Sequence, residues 1–290
     1  MQLSFVFIAI FFIIGLVQAL PTHKRDAGSL WGITYTAKSS DGSCHSAEQV
    51  SEYVKRFKNN GIKNIRTYSQ ECDQLPNILN AIKKNGGGMK VLTAIWIGGE
   101  NDDDEIAQLE KHLNDGANKD LISGIAVGNE AVQGGLMDGG KVAAKIKEIK
   151  KKFGGQFKIG TVDTPAGFNS DMVDASDVIW VNIHPFFGGV SADEAVKNLQ
   201  EQIASFQAKA NGKDIVIGEV GWPTQGDANG KAKPSVDGLS KVVKALMNSN
   251  IQYYFFESHD SKWKGDGSFS VEPHWGICDQ NGKSKIPEFH

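Results

Sequence analysis

The stretch ISGIAVGNE, residues 122–130, is a nearly continuous apolar run that ends in Asn129 and Glu130. Apolar runs of this length without polar alternation are typical of strands that are covered on both faces, as in a parallel sheet. Seven similar runs occur along the chain. They are LWGITYTA (30–37), NIRTYS (64–69), MKVLTAIWI (89–97), KIGTVDT (158–164), DVIWVNIHPFF (177–187), DIVIGEVGW (214–222) and IQYYFFESHD (251–260).

Amphipathic helical stretches lie between these runs. SAEQVSEYVKRFKNN begins with a Ser that suits a helix N-cap, and it carries Val50, Val54 and Phe57 on one side. Eight strands that alternate with helices predict an α/β protein, a single (β/α)8 TIM barrel, and 290 residues suit one barrel of about 250 residues. A doubly wound sheet is the alternative, but the chain has no G-x-G-x-x-G after the first strand and no phosphate-binding G-x-x-x-x-G-K-[ST].

The composition argues against a polyanionic partner. The chain is 40% hydrophobic and has a formal net charge of −3. It has no arginine-rich run and no zinc-finger spacing, so we expect no nucleic-acid partner. A neutral polymer such as a glucan suits this balance, as do many small molecules.

The first residues predict secretion. Phe5 to Val17 is an unbroken apolar run, too short to cross a bilayer, which needs about 20 residues. A small-x-small pattern follows it, so residues 1–19 are interpreted as a signal peptide. Lys24-Arg25 suggests a propeptide over residues 20–25, which leaves residues 26–290 as the catalytic domain. We therefore expect a secreted protein with no membrane partner after processing.

The three cysteines are consistent with secretion. Cys44 and Cys72 lie in loop-like stretches, and a disulfide between them would join the first two barrel units. Cys278 would then be a single thiol, either buried or reactive.

The ends of the predicted strands carry the candidate functional residues. Active sites of such barrels lie at the C-terminal ends of the strands, where Glu130 ends strand four and Glu219 ends strand seven. Other polar or aromatic residues also end strands: Tyr35, Tyr68, Trp96, Asp163, His184 and Glu257. We expect these side chains to converge at one end of the barrel.

Two carboxyl groups at such positions are the minimum required to cleave a glycosidic bond. One protonates the leaving oxygen, and the other attacks or stabilises the sugar cation. We favour a retaining mechanism, in which the two groups are about 5–5.5 Å apart, over an inverting one at about 6.5–9.5 Å. Glu130 is then the general acid/base and Glu219 the nucleophile, while Asn129 hydrogen-bonds the sugar 2-hydroxyl. The alternative is that the two glutamates are salt-bridge partners or helix caps.

Several motifs are similar to those of fungal members of glycoside hydrolase family 17, the β-1,3-glucanase and glucanosyltransferase family. The similar motifs, spread over essentially the whole mature chain, are WGITYTAKSSDGSC, VGNEA, IGTVDT, IGEVGWPT, FFESHDSKWK and HWGIC. The resemblance implies a (β/α)8 barrel, retention of configuration and action on β-1,3-glucan. It maps the acid/base onto Glu130, the nucleophile onto Glu219 and the preceding Asn onto Asn129. An accessory Glu and Lys near strand eight map onto Glu257 and Lys264. In comparison with the plant relatives, we expect this chain to lack the longer insertions after strand six.

Aromatic side chains are candidates for sugar stacking, because the C–H face of a pyranose ring packs on an aromatic face. Trp222 is the first candidate, and core packing is its alternative. Trp263 is either an acceptor-side platform or a loop anchor. Weaker candidates are Tyr35, Tyr68, Trp96, Phe186 and Phe187.

No cofactor or metal is expected, since the chain has no HExxH or comparable motif. His184 is interpreted as a hydrogen-bonding residue of the barrel mouth, with a sugar contact as the alternative.

The sequence thus predicts a secreted, monomeric, retaining glycosidase that acts on β-1,3-glucan or laminari-oligosaccharides, by hydrolysis, by transfer or by both. A non-catalytic glucan-binding wall protein on the same barrel is the alternative. An aldolase would need a lysine at a strand end, and none of the eight predicted strands ends in one.

Overall fold

The computed structural model describes residues 28–114 and 116–290, without the side chains of residues 116–118. The predicted signal peptide (1–19) and propeptide (20–25) lie outside the described residues. Eight parallel strands form a closed barrel in which each strand pairs with the next and the last pairs with the first. The strands are β1 Gly32–Thr34, β2 Asn64–Arg66, β3 Lys90–Ile95, β4 Ile122–Asn129, β5 Ile159–Asp163, β6 Ile179–Asn182, β7 Ile215–Val220 and β8 Tyr253–Phe255.

This closed order confirms the predicted (β/α)8 barrel, because a doubly wound sheet would be open at two edges. Each observed strand lies within one of the eight apolar runs. The observed strands are shorter than the runs, because residues near the C-terminal ends of several runs already belong to the loops that form the barrel mouth.

Helices cover the outside of the barrel. They are α1 Ala47–Asn59, α2 Gln74–Lys84, α3 Asp102–Asn114, α4 Gly139–Phe153, α5 Ser170–Ala175, α6 Ala195–Gln207 and α7 Val236–Met247. In α1 the side chain of Ser46 accepts a hydrogen bond from the Gln49 backbone, and the Gln49 side chain accepts one from Ser46, which forms a capping box. Its buried face is Val50, Val54 and Phe57, as the spacing predicts.

The interior of the barrel is a separate packed cluster centred on Trp180. A Cβ atom added at Gly124 or Gly160 would lie 3.1 or 3.2 Å from the Trp180 ring, so glycines leave the room that this ring fills. The cluster consists of Leu92, Ala94, Ala126, Val162, Val178, Trp180, Val216 and Tyr254. The barrel is therefore filled by side chains, and a ligand has access only at its ends.

The predicted disulfide is present. Cys44 and Cys72 are bonded, and they connect the loop after β1 with the loop after β2. Cys278 is a buried free thiol. Burial raises the pKa of Cys278 to about 11, so the thiol is protonated and poorly nucleophilic near neutral pH.

Candidate active site

The two predicted catalytic carboxylates lie at the same end of the barrel. Glu219 lies within β7, and Glu130 directly follows β4. Glu130 has a φ of +50°, a left-handed conformation that costs a non-glycine residue about 1–2 kcal/mol. Its backbone N–H donates to the carbonyl of Val162 in β5 at 2.8 Å. Backbone strain of this kind is concentrated at functional sites, where the surrounding structure maintains it.

Three side chains hydrogen-bond the carboxylate of Glu219. Arg66 Nη1 lies 3.0 Å and Tyr68 Oη 2.9 Å from Oε1, and His184 Nε2 lies 3.2 Å from Oε2. Burial alone would raise the pKa of Glu219. The hydrogen bond from His184, the charge of Arg66 and the hydrogen bond from Tyr68 outweigh it and lower the pKa to about 2. Glu219 is therefore ionised at any ordinary pH.

Glu130 is in a different environment. Its Oε1 accepts a hydrogen bond from Asn182 Nδ2 at 2.8 Å, and the side chain is otherwise largely removed from water. Burial and then the negative charge of Glu219 raise the pKa of Glu130, against smaller opposing effects of Asn182 and His184. Two neighbouring carboxyls whose pKa values are shifted in opposite directions are the arrangement of an acid beside an anion.

Arg66 connects Glu219 to Asn129. Its Nη2 donates to Asn129 Oδ1 at 2.6 Å, and its Nη1 also donates to the carbonyl of Gly218 at 2.8 Å. Asn182 Nδ2 lies 3.1 Å from the same Asn129 oxygen. Because two donors occupy Oδ1, the Asn129 side chain is held in one orientation.

The sequence interpretation missed Arg66. An available signal was an arginine within a stretch assigned to a barrel strand that is covered on both faces, since a fully buried arginine needs charged or polar partners.

The carboxylates lie at the centre of a two-sided groove. On one side is a cavity of about 620 Å³ and on the other a cavity of about 680 Å³. Glu130, Glu219, Phe256 and Glu272 line both cavities, so the two cavities meet at the carboxylates.

Exposed aromatic rings stand on both sides of this groove. Trp96 and Trp263 line the first cavity and are 41% and 39% exposed, and Phe187 lines the second and is 45% exposed. Lys38 Nζ lies 5.1 Å from the centre of the Trp263 ring, which orders this tryptophan at the rim. All three rings are available for contact with a sugar.

Trp222 and Tyr35 are placed elsewhere. Trp222 is completely buried, its Nε1 donates to the Lys233 carbonyl at 3.1 Å, and it lines neither cavity. Tyr35 is also completely buried, with its hydroxyl 2.8 Å from His45 Nδ1. Phe186 is also completely buried and lines neither cavity. Neither a sugar nor water reaches these rings, so the structure corrects the prediction: the core-packing alternative describes them.

Glu257 and Lys264 form an ion pair beside the groove, in which Glu257 is buried and Lys264 is half-buried. Lys264 Nζ lies 2.9 and 3.1 Å from the two Glu257 oxygens, and Ser261 Oγ donates to Glu257 at 3.0 Å. Burial raises the pKa of Glu257, and the charge of Lys264 opposes this rise. Lys264 lines the first cavity whereas Glu257 does not, so Glu257 faces the groove only through its lysine partner.

Glu272 is the third carboxyl group that lines both cavities, beside Glu130 and Glu219, and the sequence interpretation missed it. It is half-buried between the two cavities, and burial raises its pKa. No strand-end signal could have identified it, because it lies in a short turn beyond β8.

Residues 28–114 and 116–290 contain no group of three or more histidine, cysteine or acidic side chains suited to hold a metal ion. Within the same residues, no helix combines the length and the apolar character needed to cross a membrane.

Comparisons with known proteins agree with this geometry. Residues 32–276 match the model of the BtgE/BtgC glycoside hydrolase domain. The chain is 33% identical over 273 residues to a protein of Aspergillus flavus named probable beta-glucosidase btgE, a match that covers 90% of this chain and 44% of the relative. A relative of the same name from Neosartorya fischeri is 33% identical over 87% of this chain and 47% of its own length. The chain thus spans about half the length of these curated relatives.

Two solved structures share the fold. A family 17 β-1,3-glucanosyltransferase of Rhizomucor miehei superimposes with a TM-score of 0.79 at 24% identity, over 90% of this chain and 97% of that one. An endo-laminarinase from Formosa superimposes with a TM-score of 0.69 at 20% identity, over 89% and 86%. At these identities the likeness establishes the barrel alone, and the family follows from the domain match. The chain belongs to the BtgE/BtgC glycoside hydrolase domain family, in agreement with its resemblance to fungal members of glycoside hydrolase family 17.

Proposed function

We propose that the chain is a retaining glycosidase that acts on β-1,3-glucan through a covalent glycosyl-enzyme intermediate. The observation that carries this proposal is the pair of carboxyls at the centre of the groove, with the pKa of Glu219 lowered and the pKa of Glu130 raised. In a retaining mechanism one carboxylate must be ionised to attack and the other protonated to donate.

The two steps follow from these states. Glu219 attacks the anomeric carbon and forms the glycosyl-enzyme bond, while Glu130 gives its proton to the leaving glycosidic oxygen. Glu130, now ionised, then accepts a proton from a water or a sugar hydroxyl whose oxygen displaces Glu219 from the anomeric carbon. Because Arg66 and Asn182 hold the Asn129 oxygen, the Asn129 amide is the donor that suits the sugar 2-hydroxyl.

The shape of the groove favours cleavage within a chain. It continues on both sides of the carboxylates and has an exposed aromatic ring on each side, so sugar units can bind before and after the cleaved linkage. A bound sugar on the leaving-group side can also act as the acceptor, which permits transfer beside hydrolysis. An active-site mutant of the Rhizomucor miehei enzyme is in complex with laminaritriose, which supports laminari-oligosaccharides as the ligand to test.

The domain plan remains a proposal as well: a signal peptide over 1–19, a propeptide over 20–25 and a secreted, monomeric catalytic domain over 26–290. The Cys44–Cys72 disulfide supports secretion, because such bonds persist in oxidising compartments.

The test uses Glu219→Gln, Glu130→Gln and, as a matched control, Glu201→Gln, which changes an exposed glutamate on the outside of α6. Laminari-oligosaccharides are incubated with each variant, and the products are separated by length. We expect Glu219→Gln to abolish turnover while calorimetry still detects laminaritriose binding, and we expect the control to behave as the parent protein does.

The parent protein identifies the reaction. NMR spectra recorded early in the reaction should show products with the β configuration, and products longer than the substrate would demonstrate transfer. Unchanged turnover in Glu219→Gln, or α products, would contradict the mechanism. A parent protein that binds laminaritriose without cleaving it would instead support the non-catalytic alternative.

A further inference from the structure

Asp163 at the end of β5 is a fully buried carboxylate that the proposed mechanism leaves unused. Its Oδ2 accepts a hydrogen bond from the backbone N–H of Val132 at 3.0 Å, and its Oδ1 accepts one from the backbone N–H of Thr164 at 2.8 Å. It lines neither cavity of the groove. A carboxylate buried in this way contacts no substrate, so its role must pass through the backbone that it binds.

That backbone carries the proposed acid. Val132 follows Glu130 by two residues, and the Glu130 N–H itself is bonded to the carbonyl of Val162, the residue before Asp163. Thr164, the residue after Asp163, adds a side-chain hydrogen bond from its Oγ1 to Gln133 Oε1 at 2.9 Å. The three consecutive residues from Val162 to Thr164 therefore each bond one residue of the segment that follows β4, namely Glu130, Val132 and Gln133.

The turn after β5 closes over the carboxylate. A Cβ atom at Gly167 would lie 2.0 Å from Asp163 Oδ1, so the backbone of Gly167 packs directly on this oxygen and a larger residue does not fit. Asp163 is thus enclosed by the turn on one side and by the loop after β4 on the other.

We propose that Asp163 is a positioning residue for Glu130, an inference that rests on the proposed function. It holds the loop after β4, and this loop keeps Glu130 in its left-handed conformation with its carboxyl group in the groove. A left-handed glutamate relaxes to an ordinary conformation unless its surroundings prevent it. The hydrogen bonds from Asp163 and its neighbours are the contacts that prevent this relaxation from the β5 side.

The charge of Asp163 gives the inference a second readout. Burial and the charges of Glu219 and Asp163 raise the pKa of Glu130, while the hydrogen bond from Asn182 and the charge of His184 lower it. Of the other charged groups beside the groove, Arg66 is paired with Glu219 and Lys264 with Glu257, and Glu272 is a further acid of the groove. Glu130 acts as an acid only while protonated, so activity is lost as the pH rises through its pKa. Removal of the Asp163 charge should therefore move the alkaline limb of the kcat/KM profile to lower pH.

The decisive experiment compares two substrates with Asp163→Asn. A laminari-oligosaccharide has a poor leaving group that needs a proton from Glu130, whereas a dinitrophenyl β-glycoside has a leaving group that departs without one. We expect kcat/KM for the oligosaccharide to fall roughly 100-fold, the size of effect that follows from a misplaced catalytic group. We expect kcat/KM for the dinitrophenyl glycoside to stay near that of the parent protein, because this parameter reports only the steps up to the glycosyl-enzyme.

Asp177→Asn is the matched control. Asp177 precedes β6, and its Oδ2 accepts the backbone N–H of Ile159 at 2.9 Å, at the opposite end of β5. The variant therefore also replaces a carboxylate that binds the β5 backbone, but it does so at an exposed position away from the groove. It should leave both kcat/KM values and the pH profile unchanged. If circular dichroism shows that Asp163→Asn does not fold, Thr164→Val replaces it, because this variant removes the Oγ1 bond to Gln133 and the bond that Oγ1 accepts from the Gly167 N–H. Thr164 also lines the second cavity, so the comparison of the two substrates, and not KM, is the readout for this variant.

The outcomes separate this inference from the proposed function. An equal fall for both substrates in Asp163→Asn overturns the positioning role. Glu130→Gln provides the reference, since it should spare only the dinitrophenyl glycoside. If Glu130→Gln affects both substrates equally, the acid assignment is wrong. If Glu130→Gln discriminates between them and the folded Asp163→Asn does not, only the inference about Asp163 fails.

Discussion

Replacement of Tyr68 by Phe should raise the pKa of the proposed nucleophile. The change removes the 2.9 Å hydrogen bond from Tyr68 Oη to Glu219 Oε1. It keeps the aromatic ring, over which the Arg66 guanidinium lies at 4.6 Å, so the arginine should retain its place. The perturbation is therefore confined to one donor of the carboxylate.

The size of the effect follows from the energy of that bond. A hydrogen bond to a charged group contributes about 1.5–3 kcal/mol, and each pKa unit corresponds to about 1.36 kcal/mol. With the pKa of Glu219 at about 2 in the parent protein, a rise by roughly 1–2 units brings it to roughly 3–4. Glu219 reacts only when ionised, so activity is lost as the pH falls through this value, and the acidic limb of kcat/KM should move upward by the same interval.

The assay is the pH dependence of kcat/KM for a laminari-oligosaccharide between about pH 2.5 and 7, with folding checked at each pH by circular dichroism. Over this range of about 4.5 units the acidic limb expected for the variant is visible, whereas that of the parent protein lies below it. Tyr35→Phe is the control, since it removes a buried tyrosine hydroxyl that bonds His45 and lies outside the groove. An acidic limb that stays in place in Tyr68→Phe, or that moves equally in Tyr35→Phe, would refute the account of how Glu219 is kept ionised.

Four further variants test other parts of the structure. Trp263→Ala should raise KM for laminari-oligosaccharides without loss of stability. Trp222→Ala should instead lower the free energy of unfolding by about 3–5 kcal/mol and leave KM unchanged, because Trp222 is completely buried. Urea unfolding and steady-state kinetics measure both effects, and the opposite pattern would contradict the two assignments. Lys264→Met removes the partner of a buried carboxyl whose pKa burial already raises. Relative to the parent protein, the variant should therefore be more stable near pH 4, where Glu257 is protonated, than near pH 7, where the Glu257 charge has no partner. A difference in melting temperature between variant and parent protein that is the same at both pH values would contradict this. Replacement of Cys44 and Cys72 by Ser should lower the free energy of unfolding by about 3–4 kcal/mol, the value expected for a bridge across 28 positions, and an unchanged denaturation midpoint would show that the bridge contributes nothing.

The barrel and the positions of both glutamates could be predicted from the sequence for one physical reason. In a (β/α)8 barrel the strands are buried on both faces, so most of them are nearly continuous apolar runs, and residues at the C-terminal ends of these runs lie near the barrel mouth. Glu130 and Glu219 are polar residues at such ends, and the closed strand order places them together.

Other features depend on three-dimensional packing that no local pattern encodes. The position of Trp222, three residues after Glu219, suggested access to sugar, but its ring is completely buried and packs edge-on against Phe186. Glu272 enters the groove from a turn, far in sequence from both catalytic candidates. The partners of Arg66 come from β4, β6 and β7, so its role became visible only when those strands were placed around it.

Gly218, whose carbonyl accepts from Arg66, has a consequence for how this enzyme family can change. A Cβ atom there would lie 2.6 Å from Asn182 Oδ1, 2.9 Å from Val162 in the barrel interior and 3.3 Å from Arg66 Nη1. Any side chain at this position would disturb the packed interior and the reacting groups at once. New substrate preferences must therefore arise in the loops that wall the groove, while its floor stays as it is.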